Sequence, residues 1–339
     1  MRSDKRFAAF LLSACLLAAC QSGQAGAPSH ALSVSAPPAS AVPKLHMKSA
    51  YTTTSASQAP IWAAKDGGFF EAEGLDVTLS RISALAAMLG AIQSGELPLA
   101  FVSGQPPIEA SLQGGEFVIV AGFGDRMSGQ LYTIPSITTP DQLKGKNLGT
   151  TALQSASHIQ AQAALVKLGI SKDQVGFLAT GGPPETLGAI QAGQIQGASF
   201  TPPESIRARE AGLRMLIDIG SLNIPTQQSA AITTRKYVRE HPDVIERYVR
   251  ATIRGAGRLI ADREFAVNTI GKYAQIDDRK ALEETVEYYI GLWSRDGFPS
   301  MAGIQQILDT TSVPGAKSAK PEQFVDLTFV EKIKAKGEA

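Results

Sequence analysis

Seven residues, Leu89-Gly90-Ala91-Ile92-Gln93-Ser94-Gly95, return 98 positions later as Leu187-Gly188-Ala189-Ile190-Gln191-Ala192-Gly193. At the same offset Ala100 meets Ala198, Gly114 meets Gly212, and the apolar run Phe117-Val118-Ile119 meets Met215-Leu216-Ile217. Each copy reads as a helix with one apolar face, a glycine stop, a strand, a turn, a second helix and a further strand. The offset is too long for a solenoid, whose period is roughly 20–50 residues, and two copies are too few for an array. The pattern therefore predicts two similar lobes, each a mostly parallel sheet flanked by helices with right-handed crossovers.

The rest of the chain fits around the echo. Leu45 to Thr53 reads as a strand, Pro60 opens a helix where its missing N–H costs nothing, and Gly67-Gly68 ends it. A strand follows over Val77 to Ile82, the first echo helix over Ala84 to Ser94, and strands over 97–102 and 117–122. A crossing segment, Phe123 to Pro135, leads to a second set with strands at 147–151, 175–179, 197–201 and 213–219. A second crossing over Asn223 to Gln228 returns the chain to a strand over Ser229 to Thr234, and the remainder is helical. Its segments are a long helix from His241-Pro242 to about Ala261 and others near 264–273, 280–294, 301–310 and 322–335. Lobe 1 is expected over 45–128 with completion over 227–339, and lobe 2 over 129–226, the two joined by two hinge crossings.

The amino terminus has the layout of a secretory signal peptide over 1–19: Arg2, Lys5 and Arg6, then the apolar stretch Phe7 to Leu17, too short to span a membrane as a mature helix. Leu17-Ala18-Ala19-Cys20 resembles a bacterial lipoprotein box, in which Cys20 becomes the lipidated first residue; a plain signal cut nearby is the alternative. Residues 20–44 are rich in Ser, Ala and Pro and read as a flexible tether. Both cysteines, Cys15 and Cys20, lie in this leader, so a mature chain would carry neither disulfide nor thiol chemistry. A net charge of +1 gives no reason to expect nucleic acid or an anionic membrane surface as partner. The four histidines, at 30, 46, 158 and 241, have no metal-ligand spacing, and neither a metal nor a cofactor is expected.

The stretch Ala63-Ala64-Lys65-Asp66-Gly67-Gly68-Phe69-Phe70-Glu71-Ala72-Glu73-Gly74-Leu75-Asp76-Val77 resembles the first-lobe signature of solute-binding proteins that serve ABC importers of the sulfonate, nitrate, taurine and thiamine-pyrimidine type. Asp141 to Lys146 resembles that family's entry into the second lobe, and Ala189 to Ile195 its second-lobe helix stop. The resemblance covers roughly Leu45 to Thr310. It implies a type II periplasmic binding protein fold, with an ABC permease and ATPase as partners and a monomer working in the periplasm or cell envelope, held to a membrane through Cys20. The function it implies is capture of a small polar organic solute, sulfonate-like or pyrimidine-like, by hinge closure, without catalysis. An exported enzyme related to thiamine-pyrimidine synthase and a ligand-sensing partner of a membrane receptor are the alternatives.

Ligands of open α/β sheets sit beyond the carboxyl ends of strands, where helix amino termini also point. The candidate ligand-binding residues are therefore those that follow strands. They are Thr53, Ser55 and Gln58 after the first strand, Ser103 and Gln105 after the first echo strand, Ser155, Ser157 and His158 at the opening of the second lobe, and Thr201 and Glu204 after the second echo strand. Where the thiamine-pyrimidine members would carry a His, this chain has Gln58. Trp62 and Trp293 read as packing residues, Tyr132 and Asp125-Arg126 as hinge residues. Arg126 is the only cation near the mapped loops, so an anion would be held largely by hydroxyls and backbone N–H groups.

Overall fold

The computed structural model describes residues 44–338. The expected signal peptide, the lipid-bearing Cys20 and nearly all of the tether lie outside these described residues. Along the first half run β1 (Leu45–Tyr51), α1 (Ala59–Asp66), α2 (Phe69–Ala72), β2 (Leu75–Arg81), α3 (Leu85–Ser94), β3 (Leu99–Val102), α4 (Gln105–Leu112), β4 (Phe117–Gly122) and β5 (Gln130–Thr133). There follow β6 (Asn147–Thr150), α5 (Ala156–Lys167), β7 (Gly176–Ala179), α6 (Pro183–Gln191), β8 (Gly197–Phe200), α7 (Glu204–Glu210), β9 (Arg214–Asp218) and β10 (Ala230–Thr234). The last stretch is helical: α8 (Arg235–Glu240), α9 (Pro242–Ala261), α10 (Arg263–Ala274), α11 (Arg279–Ile290), α12 (Met301–Thr310) and α13 (Thr328–Ala335).

Two five-stranded sheets result, in the orders β2-β1-β3-β10-β4 and β7-β6-β8-β5-β9. The orders correspond element for element, with the echo helices α3 and α6 leading into the central strands β3 and β8. Each is a mixed sheet: in one, β10 runs antiparallel to β3 and β4, and in the other β5 runs antiparallel to β8 and β9. The apolar strands are buried on both faces, which is why they lack a polar alternation. In β3, Leu99 and Phe101 enter one apolar cluster, Ala100 and Val102 the other. The second sheet is likewise covered on both sides.

Two expectations need correction. Gln130–Thr133, read from sequence as part of a crossing, is a strand inserted between β8 and β9. Four residues are too few for a recognisable period, and their pairing is wholly non-local. The last expected helix, 322–335, is interrupted. Pro321–Phe324 forms a 3-10 turn, Val325 bridges Ile119 of β4, and Asp326 N donates to Ile119 O at 2.9 Å before α13 begins.

The glycine-aromatic signature has a local explanation. Gly68 takes φ of 70° and Gly74 takes 71°, so the chain reverses at both positions without a Cβ clash. Between them Phe70 is fully buried and packs 5.0 Å from the ring of Tyr248 on α9. Glu73 then receives Arg250 at 2.8 Å and Arg254 at 3.2 Å, fastening the turn to α9. A Cβ at Gly255 would come within 2.6 Å of Ala64 N, so that glycine lets α9 lie directly on α1.

The two crossings run side by side as a short ladder. Thr226 N donates to Asp125 O at 2.9 Å, Met127 N to Ile224 O at 2.8 Å, and Gln228 N to Gly124 O at 3.0 Å. Against it rests α12: a Cβ at Gly303 would meet the Thr226 carbonyl carbon at 2.2 Å. The hinge is thus a paired, backed strip of backbone.

Candidate functional site

The loop after β1 enters a 3-10 turn, Ala56–Gln58, capped by Ser55, whose Oγ accepts from Ser57 N. That Oγ also lies 2.9 Å from Thr201 Oγ1, beyond β8, and 3.0 Å from the buried Tyr289 hydroxyl on α11. One serine thus joins the loop of the first sheet to the loop of the second and to the C-terminal helices. Trp293 steadies the same loop by donating its Nε1–H to Ala56 O at 3.0 Å. On the opposite wall, Thr150 Oγ1 sits 3.1 Å from Ser155 Oγ and 2.9 Å from Ser157 Oγ, and Thr151 N donates to Ser157 Oγ at 3.0 Å.

Between these walls is a cleft of about 60 Å³, room for a handful of water-sized groups with the lobes as they stand. Thr53, Ser55, Gln58, Ser103, Ser155, Ser157 and Thr201, expected from the sequence, all line it. The amino ends of α5 and α6 open onto it through Ala156, Ser157, Gly182 and Pro183. The first-turn N–H groups of a helix have no partner inside the helix, so the α5 end presents donors and partial positive charge, whereas α6 opens with Pro183-Pro184, which lack N–H groups, and carries Glu185 in its first turn.

The sequence reading missed part of the wall. Arg81, Ser83, Gln160, Gly181 and Gly182 also line the cleft. Arg81 is the only charged residue among the lining residues, is exposed, and makes neither an ion pair nor a side-chain hydrogen bond among the described residues. The signal that could have found it was available. Arg81 is the last residue of β2, and Gly181-Gly182 follow β7 closely, so the rule of strand carboxyl ends covers both. Arg126, the cation expected near the loops, instead donates to Gly291 O at 2.6 Å beside the hinge and does not line the cleft.

Three expected residues stand apart. Gln105 lines a small neighbouring hollow and donates to Glu109 Oε1 at 2.8 Å. His158 Nδ1 accepts from Gln154 N at 3.0 Å while its ring meets Phe177 edge-on at 4.5 Å; burial pushes its pKa down, so it is a neutral turn-capping group. Glu204 is only 3% exposed and pairs with Arg207 at 3.3 Å; burial pushes its carboxyl up to about 7. Tyr132 packs against Phe200 inside the second lobe, and Trp62 stacks on Tyr273 at 5.0 Å in the first core. Among the described residues no group of three or more His, Cys, Asp or Glu could hold a metal ion, and no helix is long and apolar enough to cross a membrane.

A sequence profile described as NMT1/THI5 like matches residues 55–266. No curated protein matches the chain in sequence. Among solved structures, a protein from Bordetella bronchiseptica RB50 superposes with a TM-score of 0.77 at 19% identity, covering 87% of this chain and 99% of that one. The alkanesulfonate-binding protein SsuA from Xanthomonas axonopodis pv. citri, bound to MOPS, gives 0.62 at 19% identity over 73% and 85%. The periplasmic nitrate-binding protein NrtA from Synechocystis PCC 6803 gives 0.69 at 10% identity over 86% and 89%. At identities this low the likeness is one of fold.

Proposed function

Since the chain belongs to the NMT1/THI5 like family and has the two-lobed fold of periplasmic binding proteins, we propose that it is an extracytoplasmic solute receptor of an ABC importer that closes on a small sulfonate-like anion. The observation that carries the reading is Arg81, an unpaired cation and the single charge in a cleft otherwise walled by hydroxyls, amides and the amino ends of α5 and α6. Such a lining offers donors from many directions and positive potential from Arg81 and the α5 amino end, which suits an oxyanion better than a cationic or neutral heterocycle. MOPS, a sulfonate bound to the Xanthomonas protein, and nitrate, the ligand of the Synechocystis protein, are oxyanions of the same kind.

Capture works by differential contact. A solute resting on one lobe gains hydrogen bonds from the other only when the hinge ladder brings Ser55 and Thr201 together, so binding shifts the population toward the closed state. The permease then distinguishes closed from open lobes, and lipid on Cys20 keeps the receptor at the membrane. Thr53, Ser55, Gln58, Ser103, Ser155, Ser157 and Thr201 are the direct ligand contacts in this reading.

A thermal-shift screen of the full chain against alkanesulfonates, nitrate, pyrimidines and aromatic acids tests it. An anion at about 100 times its dissociation constant should add roughly 2.7 kcal/mol of stability. Stabilisation by pyrimidines alone, no shift with any anion, or turnover of a bound compound would overturn the reading.

A further inference from the structure

Three buried glutamines line the cleft, and the side-chain oxygens of two of them accept hydrogen bonds. Gln160, 4% exposed, accepts from Ser199 Oγ at 3.1 Å through Oε1 and places Nε2 3.5 Å from Ser128 Oγ. Gln228, 8% exposed, accepts from Ser128 N through Oε1 at 3.4 Å. The third, Gln58, is the most deeply buried of the three at 2% exposure, and its Oε1 has no hydrogen-bond partner. Its Nε2 makes no hydrogen bond among the described residues either. An amide oxygen shut away from water without a partner is the exception among buried polar groups, which are almost always paired.

We propose that the solute carries a hydrogen-bond donor, an O–H or N–H, as well as its anionic group, and that the Gln58 carboxamide turns its Oε1 to that donor when the cleft is filled. The inference rests on the anion-capture reading and adds a second requirement to it. A bare alkyl oxyanion presents only acceptors, which satisfy hydroxyls, helix-end N–H groups and Arg81 but leave Gln58 Oε1 as it stands. A donor on the solute converts the orphan into a bond inside a site where bonds are strong because water is excluded. The two requirements also orient the solute. Gln58 lies in the closed interior while Arg81 is exposed at the end of β2, so the donor-bearing end points inward and the anionic end faces Arg81. A site built around a polar group rejects analogues lacking its partner far more strongly than an apolar pocket rejects a missing methyl.

Calorimetric titration of the full chain with two probes of equal length, 2-hydroxyethanesulfonate and propane-1-sulfonate, separates the outcomes. The first ends in O–H where the second ends in CH₃. The unaltered protein should bind the hydroxyl probe at least about tenfold more tightly, and Gln58→Met should erase the preference by weakening the hydroxyl probe at least about tenfold more than propane-1-sulfonate. Equal binding of both probes by the unaltered protein overturns the donor requirement and leaves anion capture standing. A preference that persists in Gln58→Met overturns the role of Gln58. Binding of neither probe overturns the sulfonate reading and this inference with it. The probe comparison needs no variant, so the outcome does not hinge on whether Gln58→Met folds.

Discussion

The two copies of the echo build the same scaffold and end in opposite ways. In the first, α3 and β3 lead to Ser103-Gly104, where Gly104 N donates to Gln227 O at 2.9 Å and a Cβ on Gly104 would stand 2.6 Å from Gln227 Cβ. That end is clasped to the hinge ladder. In the second, α6 and β8 lead to Thr201, whose hydroxyl reaches Ser55 across the cleft at 2.9 Å, and to Glu204, buried where the first copy has Pro106. The repeat therefore divides labour. One copy is tied to the crossings, and the other bonds to Ser55 across the cleft. What was conserved between the halves is packing, and what diverged is the residue set just beyond the strands.

The largest expected effect comes from filling the cleft at the diverged end. Ser155→Trp combined with Thr201→Trp places two indoles where about 60 Å³ is free, so ligand-induced stabilisation, roughly 2.7 kcal/mol at a hundredfold excess over the dissociation constant, should vanish while the unliganded melting curve stays cooperative. An unchanged ligand shift would mean that the solute binds elsewhere.

Comparable in size is a pH effect confined to the second copy. The Glu204 carboxyl titrates near 7 in the folded chain because burial penalises its anion, and the nearby Arg207 offsets only part of that. An acid whose folded pKa is raised costs nothing below its unfolded pKa, near 4.5, where both states are protonated. Above that the unfolded chain ionises first, so stability falls as pH rises and the loss is complete above about 7. Glu204→Gln should therefore be about 3 kcal/mol more stable than the unaltered chain at pH 8 and indistinguishable at pH 4, measured by urea denaturation. A pH-independent difference would place the carboxylate in a fully compensated pair.

Arg81→Gln should have a smaller effect, on binding alone. Arg81 is exposed and unpaired, so its removal leaves the fold intact, and an exposed charge contributes on the order of 1 kcal/mol to holding an anion. Sulfonate affinity should drop about fivefold at low salt and less at high salt, where screening already weakens the contact. A loss that ignores ionic strength would point to a steric role.

How much of this was legible follows from where each signal resides. The echo, the glycine stops and the Phe69-Phe70 turn are local, and the sequence reading placed them within a residue or two. The opposing walls at Ser55, Ser155 and Thr201 followed from strand order and the rule of carboxyl ends. β5 was missed because its identity lies in its partners, β8 and β9, rather than in its four residues. Arg81 was missed by stopping the same rule short of β2. The bridging role of Tyr289 had no local trace at all: it sits 234 positions from Ser55 and reads as one more apolar position on an amphipathic helix.

The smallest effect is the most direct test of the division between the copies. Ser103 and Thr201 are equivalent in the repeat, both half-exposed at a strand end and both lining the cleft. Thr201 Oγ1 is bonded to Ser55 across the lobes, whereas the Ser103 hydroxyl has no partner among the described residues. Removing one partner of a part-buried hydroxyl pair typically costs about 1 kcal/mol. Thr201→Val should lower the stability of the unliganded chain by about that amount and open the lobes, visible as an increased radius of gyration in small-angle scattering, while Ser103→Ala changes neither. If the two substitutions behave alike, closure does not depend on the second copy, and the equivalence of the loops extends from scaffold to function.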